Sequence, residues 1–225
     1  MTKHHVIDPA KFGLSPHDPN IISNRIAVFQ DTETMSKRYP LPPPSTKYHV
    51  RFPFTPMSVR YSHTVLEVVG QDTIDAALHG LKNPCALNLS DDCYAGGNVC
   101  GGSGAQEESL WRRTNYCATL LRDFYPLTPE EAVYSPNVSV FKESEQAGWQ
   151  LLQEPFPELA FIACPGLRKP QCINNRISPE CEEVLRHKIR LIFKIAFHHG
   201  HDSLVLGALG AGVFGSPPQH AMAQS

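Results

Sequence analysis

The sequence predicts an α/β fold with helices on both faces of a sheet, and three observations carry that expectation. Short apolar runs that read as strands alternate with longer runs of helical character through residues 61–215. Two glycine-rich loops, 96–102 and 210–215, each follow a strand-like run, which is where ligand sites lie in such folds. The chain has 225 residues, 41% of them apolar and 19% charged, enough for one sizeable core and too apolar for disorder. The expected organisation is an N-terminal extension over residues 1–60 and one domain over 61–225.

In chain order, residues 1–20 carry His, Pro and Asp without periodicity. Residues 25–37 predict a short helix with Ile26 and Phe29 on one side. Residues 40–56 hold six prolines, including Pro42, Pro43 and Pro44, and predict an extended arm packed on the core; a Pro-rich ligand for a partner domain is the other reading. Residues 65–69 then read as a strand, 73–81 as a short helix capped by Asp72, and 85–89 as a buried strand. A helix is expected over 106–124, opened by a capping box of Ser103 with Gln106. Strands are expected over 133–141, where Pro136 marks an edge position or a bulge, and over 159–164. Ser178 and Pro179 form an N-cap and N1 pair for a helix running to His199, with Leu185, Ile189, Ile192, Phe193 and Ala196 on its apolar face. Residues 203–209 predict a buried strand, and a further helix could begin at Pro217 and Pro218.

Composition narrows the function. The net charge is −2, so no global basic field draws in nucleic acid and no direct DNA binding is expected. The seven cysteines contain no C-x-x-C pair, and no apolar leader or run near twenty apolar residues is present. A reduced protein within the cell, cytoplasmic or nuclear and without a membrane association, is the expectation. His198, His199 and His201 flank a helix end, and a zinc site there would need a ligand from elsewhere; no metal or cofactor is expected. Cys164 reads as a buried structural thiol, and Trp111 and Trp149 as core or rim residues.

The chemistry concentrates in residues 91–113. Gly96, Gly97, Asn98, Gly101 and Gly102 precede a helix start, so backbone can approach a ligand closely and unpaired N–H groups face the same place. Glu107 and Glu108 sit in the first turn, where acids also simply complement the helix dipole. Arg112 and Arg113 read as solvated or paired with nearby acids. Gly210, Gly212, Val213, Phe214 and Gly215 belong to a second loop that matches G-x-G-x-x-G. The chain ends ten residues later, leaving no room for the acid and strand of a dinucleotide fold, although the phosphate-cradling geometry survives.

The run A-G-G-N-V-C-G-G-S-G-A-Q-E-E-S-L-W-R-R resembles the signature of the microbial-type poly(ADP-ribose) glycohydrolases, a macrodomain family. The likeness extends through DTIDAAL at 72–78, LNLS at 87–90, FYPL at 124–127, VYSPNVSVFK at 133–142 and the LVLGALGAGVFGSPP ending. The resemblance implies a macrodomain-like three-layer α/β/α fold with a mixed sheet. It implies that Gly96 and Gly97 cradle the diphosphate-linked ribose, that Gln106 orders the site, that Glu107 binds ribose hydroxyls and that Glu108 is the catalytic acid. Gly210, Gly212 and Gly215 match the second phosphate loop, Val213 lies within it, and Phe214 matches an aromatic residue packed on the terminal ribose. Asp72 is a candidate for adenine contact, a place that N-capping explains equally well.

The implied substrate is poly(ADP-ribose) or an ADP-ribosylated protein, with ADP-ribose as product. A module that binds ADP-ribose without cleaving it, and a hydrolase of mono-ADP-ribosylated substrates, are the alternatives. The sequence departs from the family twice. Asn98 replaces the third glycine of a triplet, a residue type that tolerates left-handed backbone. The domain is also expected to be short at its C-terminus, because the chain stops at Ser225 soon after the second loop.

Overall fold

The computed structural model describes residues 18–54, 63–173, 176–211 and Phe214. Its elements, in order, are α1 (Pro19–Ser36), β1 (Thr46–His49), α2 (Thr73–Leu78), β2 (Pro84–Asn88), a 3₁₀ turn (Val99–Gly101), α3 (Gln106–Arg113), β3 (Glu131–Ser139), β4 (Glu158–Ala163), a small hairpin of β5 (Cys172–Ile173) and β6 (Arg176–Ile177), α4 (Pro179–His198) and β7 (Ser203–Val205). Five strands form a mixed sheet in the order β1-β3-β4-β2-β7. β3 is antiparallel to β1 and β4, whereas β2 is parallel to β4 and β7.

Two apolar layers follow from the period-2 alternation of the strands. Ala86, Val133, Phe161 and Ala163 face one way and pack with Phe29 of α1, Ile74 of α2, and Leu110 and Trp111 of α3. Cys85, Leu87, Tyr134, Ala160 and Ile162 face the other way and meet Leu185, Leu191, Ile192 and Ile195 of α4. The fold is therefore the macrodomain-like α/β/α sandwich. Among the described residues, no helix is long and apolar enough to cross a membrane.

Several local expectations shift. The helix expected from residue 25 begins at Pro19, because Asp18 caps it by accepting from Asn20 N, and it buries Ile21, Arg25, Val28, Phe29, Thr32 and Ser36, with Ile26 only half-buried. β1 adds to the sheet beside β3. The strand expected over 65–69 is an exposed segment outside the sheet, with Val65, Leu66, Val68 and Val69 facing solvent; apolarity and branching made it look like a strand, but no ladder partner meets it among the described residues. The short helix after Asp72 stops at Leu78.

The helix expected to reach residue 124 stops at Arg113. Thr114 takes extended backbone and bridges to Val140, returning the chain to the sheet, while its Oγ1 donates to Leu110 O. The capping box at Ser103 does not form either: Ala105 is the N-cap and makes no side-chain cap bond. Pro136 does coincide with a bulge, since the β3–β4 register shifts between Ser135 and Val138, yet β3 is an interior strand and not an edge.

α4 keeps its Ser178 cap, bonded to Cys181 N, but its buried stripe runs through Leu185, Lys188, Leu191, Ile192, Ile195 and Ala196. Ile189 and Phe193 are exposed. The run expected as a buried strand over 203–209 is strand only at Ser203–Val205, half-buried at the sheet edge. The helix expected near Pro217 lies outside the described residues.

Candidate active site

β2, β4 and β7 are parallel, so their carboxyl ends open along one edge of the sheet, and the segments leaving them meet there. A Cβ placed on Gly207 would come within 3.1 Å of Leu89, and one placed on Gly166 would come within 2.5 Å of the Gly210 Cα. One wall of the resulting cleft is the loop after β2 together with α3. The other is the pair of segments after β4 and β7.

The first wall is organised by consecutive side chains at the start of α3. Gln106 stitches the helix to the sheet end: its Oε1 accepts from Leu89 N at 2.9 Å, and its Nε2 donates to Leu87 O at 2.8 Å and to Thr73 Oγ1 at 3.2 Å. That engagement with the sheet is what replaces the expected capping box. Glu107, 3% exposed, accepts from Asp91 N at 2.6 Å, from Gly96 N at 3.1 Å and from Asn88 Nδ2 at 3.2 Å. Burial pushes its carboxyl up to about 8, while these three donors pull in the opposite direction.

Glu108, 6% exposed, accepts from Asn98 N at 3.0 Å through Oε1. Its Oε2 is buried and has no hydrogen-bond partner among the described residues. A buried carboxyl oxygen left over in this way is one that a substrate group can engage.

Gly97 and Gly96 shape the space around these acids. Gly97 has φ +53, and a Cβ there would sit 2.6 Å from Glu108 Oε1 and 3.3 Å from Glu107 Oε2; only glycine fits both the backbone and the gap. A Cβ on Gly96 would run into the ring of Trp111 at 2.6 Å. Asn98 has φ −106, so the tolerance of left-handed backbone expected of it is not used; its side chain lies against Gly101, and its N–H holds Glu108. Not every glycine serves the cleft. Gly102 and Gly104 make room for α1: a Cβ on Gly102 would lie 2.7 Å from Ile22 O, and one on Gly104 would lie 2.5 Å from the Arg25 guanidinium.

The arginines after the acids are buried. Arg112 donates to Ser103 O at 2.7 Å, and burial lowers it to about 10. Arg113 pairs with Asp72 and, at 2.6 Å, with Asp75, and donates to Lys142 O at 3.0 Å. Neither is solvated, and Arg113 bears out the acid-paired reading. Asp72 is thereby occupied, since its carboxylate also accepts from Ile74 N and Asp75 N as the N-cap of α2.

Of the second loop, Gly210 and Phe214 are described; Gly212, Val213 and Gly215 lie outside the described residues. Gly210 has φ +84. Phe214 O accepts from Lys169 N at 2.6 Å, and its ring carries the Arg168 guanidinium at 4.3 Å. Sequence reasoning missed Asn88, the Asp91 N–H and Arg168. A polar residue closing the apolar run C-A-L-N was a usable signal for Asn88. Arg168 had none, because its partner Asp92 is 76 residues away.

The histidines expected as possible zinc ligands serve packing. His199 stacks on Tyr134 at 3.7 Å and bonds Tyr48 OH, while His201 bonds Tyr134 OH and Asn83 O. Cys164 is fully buried, as expected of a structural thiol.

Residues 23–143 match the family described as microbial-type PARG, catalytic domain. The fold is similar to a crystal structure of poly(ADP-ribose) glycohydrolase from Thermomonospora curvata, with a TM-score of 0.72, 28% identity, and coverage of 86% of this chain and 82% of that one. The same enzyme bound to the inhibitor ADP-HPD aligns with a TM-score of 0.69 at 27% identity, over the same shares of the two chains. A Deinococcus radiodurans poly(ADP-ribose) glycohydrolase in complex with ADP-ribose shares the fold, with a TM-score of 0.55, 23% identity, and coverage of 88% of this chain and 79% of that one. No curated protein matches the chain significantly. With the family match spanning more than half its length and both acids inside the matched stretch, the chain belongs to the microbial-type poly(ADP-ribose) glycohydrolase catalytic-domain family.

Proposed function

We propose that the protein hydrolyses the ribose–ribose O-glycosidic bonds of poly(ADP-ribose), releasing ADP-ribose, with Glu108 as general acid. The observation that carries this reading is the Glu108 carboxyl: Oε1 is anchored by the Asn98 N–H and buried Oε2 is left without a partner, at the mouth of a glycine loop. The family membership and the inhibitor-bound relative support the substrate class.

In this mechanism the glycine backbone of residues 96–97 and the second loop receive the diphosphate, and Glu107 accepts from ribose hydroxyls. Glu108, in its acid form, gives its proton to the glycosidic oxygen as the bond to the anomeric carbon breaks, so the leaving ribose departs as an alcohol. The anomeric carbon carries the positive charge, which the folded-back diphosphate helps to stabilise. One water attacks that carbon and passes its proton to the Glu108 carboxylate, restoring the acid. Adjacent helical residues point about 100° apart, so Glu107 and Glu108 address neighbouring parts of one sugar and do not flank the bond as the two acids of most glycosidases do. Residues 61–225 carry this machinery in the proposal, with α1 and β1 completing its scaffold.

The test is release of ADP-ribose from poly(ADP-ribose) by the wild type and by Glu108→Gln. Glutamine keeps the Asn98 bond and cannot donate the proton, so turnover is expected to fall by about 10²–10⁴ with ADP-ribose affinity retained. Undiminished turnover by Glu108→Gln would overturn the role of Glu108. If neither protein releases product while both bind ADP-ribose, the chain is a binding module, or its substrate is a mono-ADP-ribosylated protein, which a defined substrate of that kind then separates.

A further inference from the structure

The two walls of the cleft are joined by one side chain outside the catalytic helix. Arg168, in the segment after β4, reaches across to the first wall, where its Nη2 lies 3.1 Å from Asp91 Oδ2 and also bonds Asp92, and its Nε lies 3.4 Å from Asp92 Oδ2. The same guanidinium lies over the Phe214 ring, and the neighbouring Lys169 N–H holds Phe214 O. A planar fork with delocalised charge can engage two carboxylates by its edge and an aromatic ring by its face, which an ammonium cannot do at once.

We propose that Arg168 is a positioning residue that latches the second loop to the first and neutralises Asp91 and Asp92 at the lip of the cleft, so that an anionic diphosphate can enter. The inference rests on the assignment of the cleft to ADP-ribose. Geometry ties the latch to the chemistry on both sides. Asp91 is not only an ion-pair partner, since its N–H donates to Glu107 at 2.6 Å, and a shift of Asp91 therefore moves an acceptor for ribose hydroxyls. Phe214 is the one aromatic residue of the second loop, and the latch fixes its ring.

Charge supplies the second half of the argument. Without Arg168, two carboxylates would lose this cation on the loop that receives the phosphates in the proposed function, and their repulsion of an anion would be screened by salt. The ion pairs are partly solvent-exposed, with 45% of the Arg168 side chain accessible, so they contribute little to stability and their loss should be read in binding.

The experiment compares wild type, Arg168→Ala, Arg168→Lys and the double variant Arg168→Ala with Asp92→Asn, by calorimetric titration with ADP-ribose at low and high salt and by steady-state cleavage of poly(ADP-ribose). Arg168→Ala is expected to weaken ADP-ribose binding about tenfold, the scale of a charged hydrogen bond, and to raise KM in step while kcat stays within about twofold and Tm hardly moves. Its affinity should recover as salt screens the two aspartates, and Asp92→Asn should recover part of the loss. Arg168→Lys, with charge but no fork, should fall between wild type and alanine. Unchanged affinity in Arg168→Ala, or a loss that neither salt nor Asp92→Asn relieves, overturns the proposal. A wild type that binds no ADP-ribose removes the cleft assignment and this inference with it; a wild type that binds, beside an alanine variant that binds equally well, removes this inference alone.

Discussion

The two walls of the cleft are built by different physics. On the first wall, Gln106, Glu107, Glu108 and Arg112 each hydrogen-bond a backbone group of the loop or the end of β2, and the last three are buried. On the second wall, the contacts that bring its segments together include one backbone bond from Lys169 to Phe214, a close approach of Gly166 to Gly210, and the partly exposed Arg168 pairs. Buried hydrogen bonds act in a low dielectric and are costly to break, whereas exposed ion pairs are weak and screened by salt. In the proposed mechanism the proton donor thus sits where the protein is least able to give way, and the grip on the ligand comes from the side that can. Changes to the first wall should appear in kcat, and changes to the second in KM.

The largest effect expected from breaking this division, apart from removing the acid itself, is that of Gly97→Ala. The added methyl would sit 2.6 Å from Glu108 Oε1 at a residue with φ +53, so either the carboxyl or the loop must move. Displacing a catalytic group by about 1 Å can cost about 10²-fold in rate, and that loss is expected in kcat on poly(ADP-ribose), with circular dichroism showing a folded protein. A loss confined to KM would show that the first wall is as adaptable as the second.

A smaller effect tests the electrostatics of the first wall. Glu107 titrates near 8 because burial outweighs its three N–H donors, so it is neutral below that pH and carries a charge above it. A negative charge on Glu107 opposes a diphosphate, and ADP-ribose affinity should fall severalfold as pH rises through 8, a dependence that Glu107→Gln removes. The stability linkage has the same sign. Between the unfolded value of 4.5 and about 8 the folded protein holds a proton that the unfolded chain has released. This group's contribution is therefore fully present below 4.5 and lost as pH rises through 8. Titration of ADP-ribose by calorimetry at pH 6 to 9 checks the binding half; a pH-independent affinity would mean that the donors hold Glu107 ionised throughout.

The same contrast governs what was legible in the sequence. The first wall could be read because its determinants are local: Gly96 and Gly97, then Glu107 and Glu108 at a helix start, lie within thirteen residues, and helix and strand periodicities placed β2, β4 and α4. What escaped depends on tertiary partners. The run at 65–69 has strand composition but no strand to pair with, and α3 ends early because Thr114 finds Val140 across the sheet. The buried stripe of α4 rotates away from Ile189 and Phe193 to include Lys188, which no hydrophobic pattern would select. Gly102 looked like part of a ligand loop, and it took the docking of α1 to show that it accommodates Ile22, as Gly104 accommodates Arg25. Arg168 could not be found from its neighbours at all, since its partners Asp91, Asp92 and Phe214 lie in two other loops.

The smallest expected effect sharpens the second half of the division. Phe214→Leu keeps an apolar side chain and the backbone bond to Lys169, but removes the ring on which Arg168 lies. A cation–π contact at a partly exposed site contributes about 0.5–1 kcal/mol, or roughly two- to fivefold in affinity. KM for poly(ADP-ribose) and Kd for ADP-ribose should rise together by that amount while kcat holds, because no hydrogen bond of Glu107 or Glu108 involves the ring. Combined with Arg168→Ala, the substitution should add little further, as both remove the same contact, whereas combined with Gly97→Ala the losses should multiply. Multiplicative loss with Arg168→Ala would mean that the ring meets the ligand independently of the latch, and the second wall would then consist of two separate grips.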